Sequence, residues 1–177
     1  MRGLKKLILS AWEVIEVLVI ALAAVFLIRN FIAQPFLVSG ASMEPNFSNG
    51  NYLIVDEVTY RFRGPERGEV VVFRYPKEPS TFFIKRIIGL PGDRILIRDN
   101  QATVISGDGQ KFAIPGETNG LVDIALKTDE YFVLGDNRYN SLDSRNWGPL
   151  PKNDLIGIVR FRIFPINQFG VLEHVQY

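Results

Sequence analysis

Two residues that could act together in acyl transfer are Ser42 and Lys85. The serine stands in the run Val38-Ser39-Gly40-Ala41-Ser42-Met43-Glu44-Pro45. Gly40 allows a substrate backbone to approach closely, and Pro45 restricts the chain beyond the serine. A nucleophilic serine needs an exposed hydroxyl, a backbone N–H aimed at the developing oxyanion and a base within hydrogen-bond reach. The alternative is that residues 38–50 form an ordinary loop.

Lys85 is the candidate base because it lies in an apolar strand pattern, Phe82-Phe83-Ile84-Lys85-Arg86-Ile87-Ile88. Side chains alternate along a strand, so Lys85 and Arg86 place one cation on each of two apolar faces. Burial lowers the pKa of a lysine from about 10.4, by up to about 3–5 units in extreme cases, and a neutral amine can accept a proton. Arg86 stays charged and is expected in a structural ion pair. The alternative for Lys85 is an amine that reaches water.

A hydrophobic segment precedes these residues and is predicted to anchor the chain in a membrane. Residues 7–28 are apolar except for Ser10, Glu13 and Glu16. At about 1.5 Å per residue, their length of about 33 Å matches a hydrocarbon core of about 30 Å. The glutamates lie in the first half, close to Lys5 and Lys6. A soluble or interfacial helix is the alternative reading of this segment.

The basic start of the chain predicts its orientation. Lys and Arg favour the cytoplasmic side, so residues 1–6 are predicted to be cytoplasmic and residues 29–177 to form an exported domain. A removable signal peptide is the main alternative, since Ala21-Leu22-Ala23 is a small-x-small sequence. That sequence lies inside the apolar run, which favours a retained single transmembrane helix.

The remainder of the chain predicts a mainly β domain. Short runs rich in Val, Ile, Phe and Tyr are separated by Gly and Pro turn signals. The predicted strands are Tyr52 to Val58, Glu69 to Tyr75, Phe82 to Ile88, Arg94 to Arg98, Tyr131 to Leu134 and Leu155 to Phe164. The more polar span 99–128 is predicted to be an inserted hairpin or loop excursion.

Composition excludes several classes of function. The net charge of +1 gives no electrostatic footprint for nucleic acid. The chain has no cysteine, which removes thiolate chemistry, and its single histidine, His174, is close to the end. The segment from Asp136 to Leu142 fails as a calcium loop because Arg138 and Leu142 occupy ligand positions. We therefore expect no metal and no cofactor.

Three segments in order resemble the signature motifs of bacterial type I signal peptidases, and the resemblance covers nearly the whole chain. They are Ser42-Met43-Glu44-Pro45, Lys85-Arg86-Ile87-Ile88-Gly89-Leu90-Pro91-Gly92-Asp93 and Gly135-Asp136-Asn137-Arg138-Tyr139-Asn140-Ser141-Leu142-Asp143-Ser144-Arg145. A fourth segment, Arg67-Gly68-Glu69-Val70-Val71-Val72-Phe73, looks like another motif of that family.

The resemblance implies a membrane-bound serine endopeptidase with a Ser/Lys dyad, in which Ser42 is the nucleophile and Lys85 the general base. Ser141 falls where the family has a hydroxyl that hydrogen-bonds and orients the lysine. The positions implied to support the site are Asp136, Asp143 and Arg145. Gly40 stands where some members carry a serine that donates to the oxyanion, so the second oxyanion donor of this chain is open.

The resemblance also implies the partners and the location. Substrates are preproteins with small residues at the first and third positions before the cut, and Val38 and Phe83 could line the pockets for them. The chain is expected in the plasma membrane, in contact with lipid and transiently close to the secretion translocon. Two alternatives differ in function: an inactive anchored homologue acting as an adaptor, and a Ser/Lys self-cleaving repressor. The repressor would require an N-terminal DNA-binding domain where this chain has its apolar segment.

Overall fold

The computed structural model describes residues 2–31 and 33–172, and side-chain environments for residues 11–26 and 33–172. A long helix, α1 (Arg2–Phe31), precedes a β-rich domain. The strands are β1 (Ala33–Leu37), β2 (Tyr52–Asp56), β3 (Val70–Tyr75), β4 (Glu78–Gly89), β5 (Arg94–Arg98), β6 (Gln101–Ile105), β7 (Lys111–Ile114), β8 (Val122–Ala125), β9 (Glu130–Leu134), β10 (Leu150–Pro151), β11 (Leu155–Phe164) and β12 (Gly170–Val171). A short helix, α2 (Ser144–Trp147), lies between β9 and β10.

The strands form two antiparallel sheets. The larger sheet has the order β1-β2-β11-β3-β4-β9-β10, with β12 paired to β11. The smaller sheet has the order β7-β6-β5-β8. The prediction of a mainly β domain is therefore confirmed, and all six predicted strands are present. Arg94–Arg98 and Leu155–Phe164 have the predicted ends, and the other four differ at one end or both.

The span 99–128 is more regular than the hairpin or loop excursion that we expected. It contains β6, β7 and β8, which join β5 to complete the smaller sheet. Asp99 and Asn100 have positive φ angles of 52° and 57° and make the tight turn between β5 and β6. Nine buried apolar residues join this sheet to β4 and β9: Ile88, Ile95, Ile97, Ala102, Val104, Ile114, Leu126, Phe132 and Leu134.

Strand β1 was not predicted from the sequence, and it contains Pro35. Proline lacks a backbone N–H and is tolerated on an edge strand, and β1 is the edge of the larger sheet. It pairs with β2 from Ala33 opposite Asp56 to Leu37 opposite Tyr52. The chain thus passes from α1 into the sheet within a few residues.

The predicted anchor, residues 7–28, falls within α1. Its side-chain environments are described only for residues 11–26, so residues 7–10 and 27–28 of the prediction lie outside the described side chains. The side chains of residues 11–26 are exposed, and Trp12, Leu18 and Ile20 are examples of large apolar ones. In the described part of the chain, no helix combines the length and the hydropathy required to cross a membrane. His174 also lies outside the described residues.

Candidate active site

Ser42 lies on a loop that leaves β1 and returns to β2. The loop is closed by Val38, which donates to the Asn51 carbonyl at 2.9 Å and accepts from the Gly50 N–H at 2.9 Å. Met43 and Phe47 are almost fully buried and pack beneath the loop against Val70, Val72 and other core residues. These apolar anchors fix the backbone on which the serine is carried.

Gly40 forms the bend that precedes the serine. Its φ angle of +95° is in the left-handed region that favours glycine. Its N–H donates to Asn49 Oδ1 at 3.0 Å, which ties the bend to the far side of the loop. A Cβ placed on Gly40 would meet no atom within 4 Å, so the backbone angle, and not a lack of space, is the reason for glycine here.

Lys85 lies on β4 beside the serine. Its Nζ is 2.8 Å from Ser42 Oγ and 2.9 Å from the carbonyl oxygen of Ile84, to which it donates. The ring of Phe83 lies 5.1 Å from Nζ and covers it on one side. Lys85 is only 3% exposed, so its amine does not reach bulk water as the alternative interpretation required.

Burial lowers the pKa of Lys85 to about 8, against a smaller opposing effect of Asp143 and Asp136, whose negative charges raise it. A lysine in this state supplies a substantial neutral fraction near pH 8. Both carboxylates are bound to arginines, which limits how strongly they hold a proton on the lysine.

The first of these pairs joins Arg86 to Asp136. Arg86 Nε and Nη2 donate to the two carboxylate oxygens at 2.7 and 2.6 Å, and Asn46 Nδ2 donates to Asp136 Oδ2 at 2.8 Å. Arg86 Nη1 also donates to the Gly68 carbonyl at 2.8 Å. The pair is buried, and it joins β4 to the loop that follows β9.

The second pair joins Arg145 to Asp143. Arg145 Nε and Nη2 donate to the carboxylate at 2.8 and 2.9 Å, and the Gly135 N–H donates to Asp143 Oδ2 at 3.1 Å. Asp143 is fully buried and also caps the N-terminus of α2. Arg145 extends to Asn119, so α2 contacts the loop that joins β7 to β8 of the smaller sheet.

Ser141 lies in that same loop. Its Oγ is buried, and no hydrogen-bond partner for it exists among the described residues. The hydrogen bond from Ser141 to the lysine that the resemblance implied is not made, and Lys85 Nζ binds Ser42 Oγ and the Ile84 carbonyl instead. In this structure Ser141 packs against Gly135, where an added Cβ would lie 2.2 Å from Ser141 Oγ and 2.5 Å from the Ser42 carbonyl oxygen.

Gly135 and Asn137 belong to the site and were not selected from the sequence as site residues. Gly135 leaves room for both serines, and Asn137 donates from its backbone N–H to the Ser42 carbonyl at 3.0 Å. The available signal was their position in Gly135-Asp136-Asn137, directly after a strand. Their contact with the Ser42 loop depends on the sheet order, which the motif does not encode.

A cavity of about 310 Å³ opens beside Ser42 and Lys85. Its walls are mostly apolar and come from the Ser42 loop and strands β1 to β4, and from Asn140 and Leu142. Val38 and Phe83, which we expected as pocket residues, both line it. A hydroxyl bound to a buried amine at the edge of an apolar cavity is the arrangement of an activated nucleophile beside a substrate site.

Comparison with known proteins gives an independent indication of function. The family model described as "Signal peptidase, peptidase S26" matches residues 11–164. A probable signal peptidase I-1 of Synechocystis is 33% identical, covering 92% of this chain and 89% of that protein. A probable signal peptidase I-2 of the same organism is 37% identical, with 92% and 78% coverage. A signal peptidase I P of Bacillus subtilis subsp. natto is 36% identical, with 87% and 89% coverage.

Proposed function

We propose, for a chain that belongs to the signal peptidase family, peptidase S26, that Ser42 is the nucleophile and Lys85 the general base in the removal of signal peptides from preproteins. The chain is a hydrolase of the signal peptidase I type. The observation that carries the residue assignment is the 2.8 Å contact between Lys85 Nζ and Ser42 Oγ. That distance is within the reach required of a base and its nucleophile.

The first half of the reaction forms an acyl-enzyme. Neutral Lys85 accepts the proton of Ser42 while Oγ attacks the carbonyl carbon of the scissile bond. The tetrahedral intermediate then collapses, and Lys85 returns the proton to the departing amine of the mature protein. The low pKa of Lys85 serves both steps, because a group with a pKa near the operating pH can accept and donate a proton.

The second half releases the signal peptide. A water molecule takes the position of the departed amine and gives a proton to Lys85 as it attacks the ester carbonyl. Collapse of the second tetrahedral intermediate frees Ser42 Oγ, which recovers the proton from Lys85. Arg86 cannot replace Lys85 in these transfers because a guanidinium stays charged.

The backbone N–H of Ser42 is the oxyanion donor in this proposal. Gly40 has no hydroxyl with which to supply a second one. Loss of one oxyanion donor in a serine protease typically costs about 2.7–4 kcal/mol, so the placement of the remaining N–H matters. Ser141 supports Lys85 during turnover, and Asp136 and Asp143, each held by its arginine, support the loop that carries Ser141.

Substrate selection follows from the cavity beside Ser42. Its apolar walls suit small side chains at the first and third positions before the cut, as in an Ala-x-Ala sequence. Val38 and Phe83 contribute to these walls. Preproteins that emerge from the secretion translocon are the proposed substrates.

Residues 7–28 are proposed to anchor the chain in the plasma membrane once, with residues 1–6 in the cytoplasm and residues 29–177 on the exported face. Support comes from the apolar side chains in residues 11–26 of α1, which are exposed. Apart from Glu13 and Glu16, residues 11–26 are apolar on all sides of the helix, a pattern typical of a membrane segment or a protein core. An anchor also places enzyme and preprotein in the same bilayer, which raises their effective concentration for each other.

The function is tested with detergent-solubilised protein and a preprotein that has an Ala-x-Ala site. The wild type should release a mature protein whose new N-terminus lies directly after that site, and Ser42→Ala should release none. Normal cleavage by Ser42→Ala would overturn the nucleophile assignment. No cleavage by the wild type would overturn the proposed activity and favour an inactive adaptor.

A further inference from the structure

We propose that Asn137 is a positioning residue that orients the oxyanion-binding N–H of Ser42. The inference rests on the proposed function, in which that N–H stabilises the tetrahedral intermediate. It assigns to Asn137 a role in catalysis although Asn137 lies outside the cavity beside Ser42.

Asn137 holds the two carbonyl groups on either side of Ser42. Its side-chain Nδ2 donates to the Ala41 carbonyl at 3.1 Å, and its backbone N–H donates to the Ser42 carbonyl at 3.0 Å. The peptide planes before and after the serine are therefore both tied to one residue, 96 positions away in the case of Ala41.

The side-chain contact also sets the direction of the Ser42 N–H. Ala41 C=O and Ser42 N–H belong to the same peptide group, which is planar and trans. In a trans peptide these two groups point in opposite directions. Because Asn137 binds the carbonyl from one side, the N–H points to the other side.

The positions of two cavities agree with this geometry. Asn137 lines a shallow cleft together with Glu44 and Tyr139. Ala41, Ser42 and Lys85 line the apolar cavity in which the reaction is proposed to occur. The carbonyl of Ala41 is bound on the side of Asn137, which leaves the Ser42 N–H to the cavity. No acceptor for that N–H is found in the part of the chain that the structure describes.

The amide of Asn137 is itself fixed. Its Oδ1 accepts from the Asn140 N–H at 3.3 Å, so its Nδ2 is the atom that faces the Ala41 carbonyl. Asn140 directly precedes Ser141. Asn137 thus joins the loop that carries Ser141 to the loop that carries the nucleophile.

The test uses Asn137→Asp, which keeps the shape and the Oδ1 acceptor but replaces the donor with a second acceptor. We expect kcat for preprotein cleavage to fall by about tenfold to a hundredfold, below the loss typical of deleting a donor outright, with KM changed less than threefold. Asn137→Ala, which removes the donor without adding a charge, should give the same division between kcat and KM. Asn153→Asp, on an exposed turn, is the matched control and should behave as wild type.

A second measurement separates positioning from general structural support. A peptide aldehyde ending in Ala-x-Ala forms a hemiacetal in which a bond joins Ser42 Oγ to the aldehyde carbon, the serine proton passes to Lys85 and the oxygen faces the Ser42 N–H. The matching peptide alcohol binds without that bond. In Asn137→Asp and Asn137→Ala, aldehyde affinity should fall about as much as kcat/KM, and alcohol affinity should stay within threefold of wild type.

Equal losses for the aldehyde and the alcohol, or a rise in KM at unchanged kcat, would overturn the proposal. So would wild-type kinetics in both Asn137 variants. Failure of the Asn137 proposal can be distinguished from failure of the proposed function. The proposed function stands whenever the wild type cleaves the preprotein and Ser42→Ala does not.

Discussion

Arg86 binds both carboxylate oxygens of Asp136 through two guanidinium nitrogens, one strand position away from Lys85. The two basic residues of β4 therefore differ in their partners. Arg86 forms a buried ion pair with a carboxylate, whereas Lys85 contacts a hydroxyl and a carbonyl and has a lowered pKa. The following predictions depend on this difference.

We expect Asp136→Asn to destabilise the domain and to shift activity towards acid pH. Removal of the carboxylate leaves Arg86 buried without its charge partner, which typically costs about 3–5 kcal/mol. It also removes a negative charge that raises the pKa of Lys85, so the rise of kcat/KM with pH should move to lower pH. Thermal unfolding and a pH–rate profile measure the two effects, and the double variant Arg86→Gln/Asp136→Asn should recover part of the stability. An unchanged melting temperature would contradict the role of the pair.

Replacement of Lys85 should abolish activity, and two variants distinguish the loss of the base from the loss of the positive charge. Lys85→Met keeps the length of the side chain without a base, and Lys85→Arg keeps a cation that cannot deprotonate. Both should cleave a preprotein at least about a thousandfold more slowly than wild type, since the nucleophile loses its base. Single-turnover cleavage of a labelled preprotein measures this. Substantial activity in Lys85→Arg would show that the base lies elsewhere.

The pH dependence of kcat/KM should report the titration of Lys85. Below pH 8 the amine is protonated, so kcat/KM should fall about tenfold for each pH unit, and it should level off above about pH 8. A peptide substrate without ionisable groups near the cut excludes ionisation of the substrate as the cause of the pH dependence. A flat profile from acid to alkaline pH would argue against a neutral amine as the base.

Stability should depend on pH through the same group and should rise with pH, as it does for any group whose pKa is lowered on folding. The pKa of Lys85 is lowered from 10.5 to about 8 on folding, so between these values the unfolded chain binds more protons than the folded one. Stability then rises with pH across that window, by about 3 kcal/mol in total from this residue. The melting temperature of the wild type relative to Lys85→Met should therefore increase between pH 8 and pH 10. A constant difference would contradict the assigned shift.

Two neighbouring serines, Ser141 in the loop after β9 and Ser144 at the start of α2, should respond in opposite ways to alanine. Ser141→Ala removes a buried hydroxyl that has no partner in the described part of the chain, so stability should be unchanged or slightly higher while catalysis falls. Ser144→Ala leaves the buried Val133 N–H without its acceptor, at 3.0 Å in this structure, and should cost about 1–3 kcal/mol. Denaturant unfolding and preprotein cleavage of both variants test the contrast. A Ser141→Ala protein that is fully active would remove Ser141 from the site.

The sequence predicted the fold where strands were long and apolar. Runs such as Phe82 to Ile88 combine β-branched and aromatic residues, and they were found as strands. In the smaller sheet β5 carries the aliphatic run Ile95-Leu96-Ile97 and was predicted, whereas β6, β7 and β8 are only four or five residues long, are partly exposed and have no run of three large aliphatic residues. Their hydrophobic pattern is too short to separate them from loops, and their order depends on packing against Phe132 and Leu134 of the larger sheet.

The candidate site was predicted as a set of residues but not as a geometry. Ser42 and Lys85 were selected from motif and alternation, and the structure brings them to 2.8 Å. The contact of Asn137 with Ala41 spans 96 residues and requires the loop after β9 to lie against the loop after β1. Such a contact depends on the path of the whole sheet. The pattern within either segment does not contain it.

Strand β1 begins at Ala33, two positions after the last residue of α1, and Ser42 follows it by nine positions. Ser42 thus lies eleven positions beyond α1, and even a fully extended segment of that length spans only about 36–40 Å, so the nucleophile has a fixed maximum reach from the helix. If α1 anchors the chain, cleavage depends on the distance of the site from the membrane as well as on its sequence. A preprotein whose Ala-x-Ala site is moved outward by a rigid spacer longer than that reach should escape cutting, although its recognition residues are unchanged.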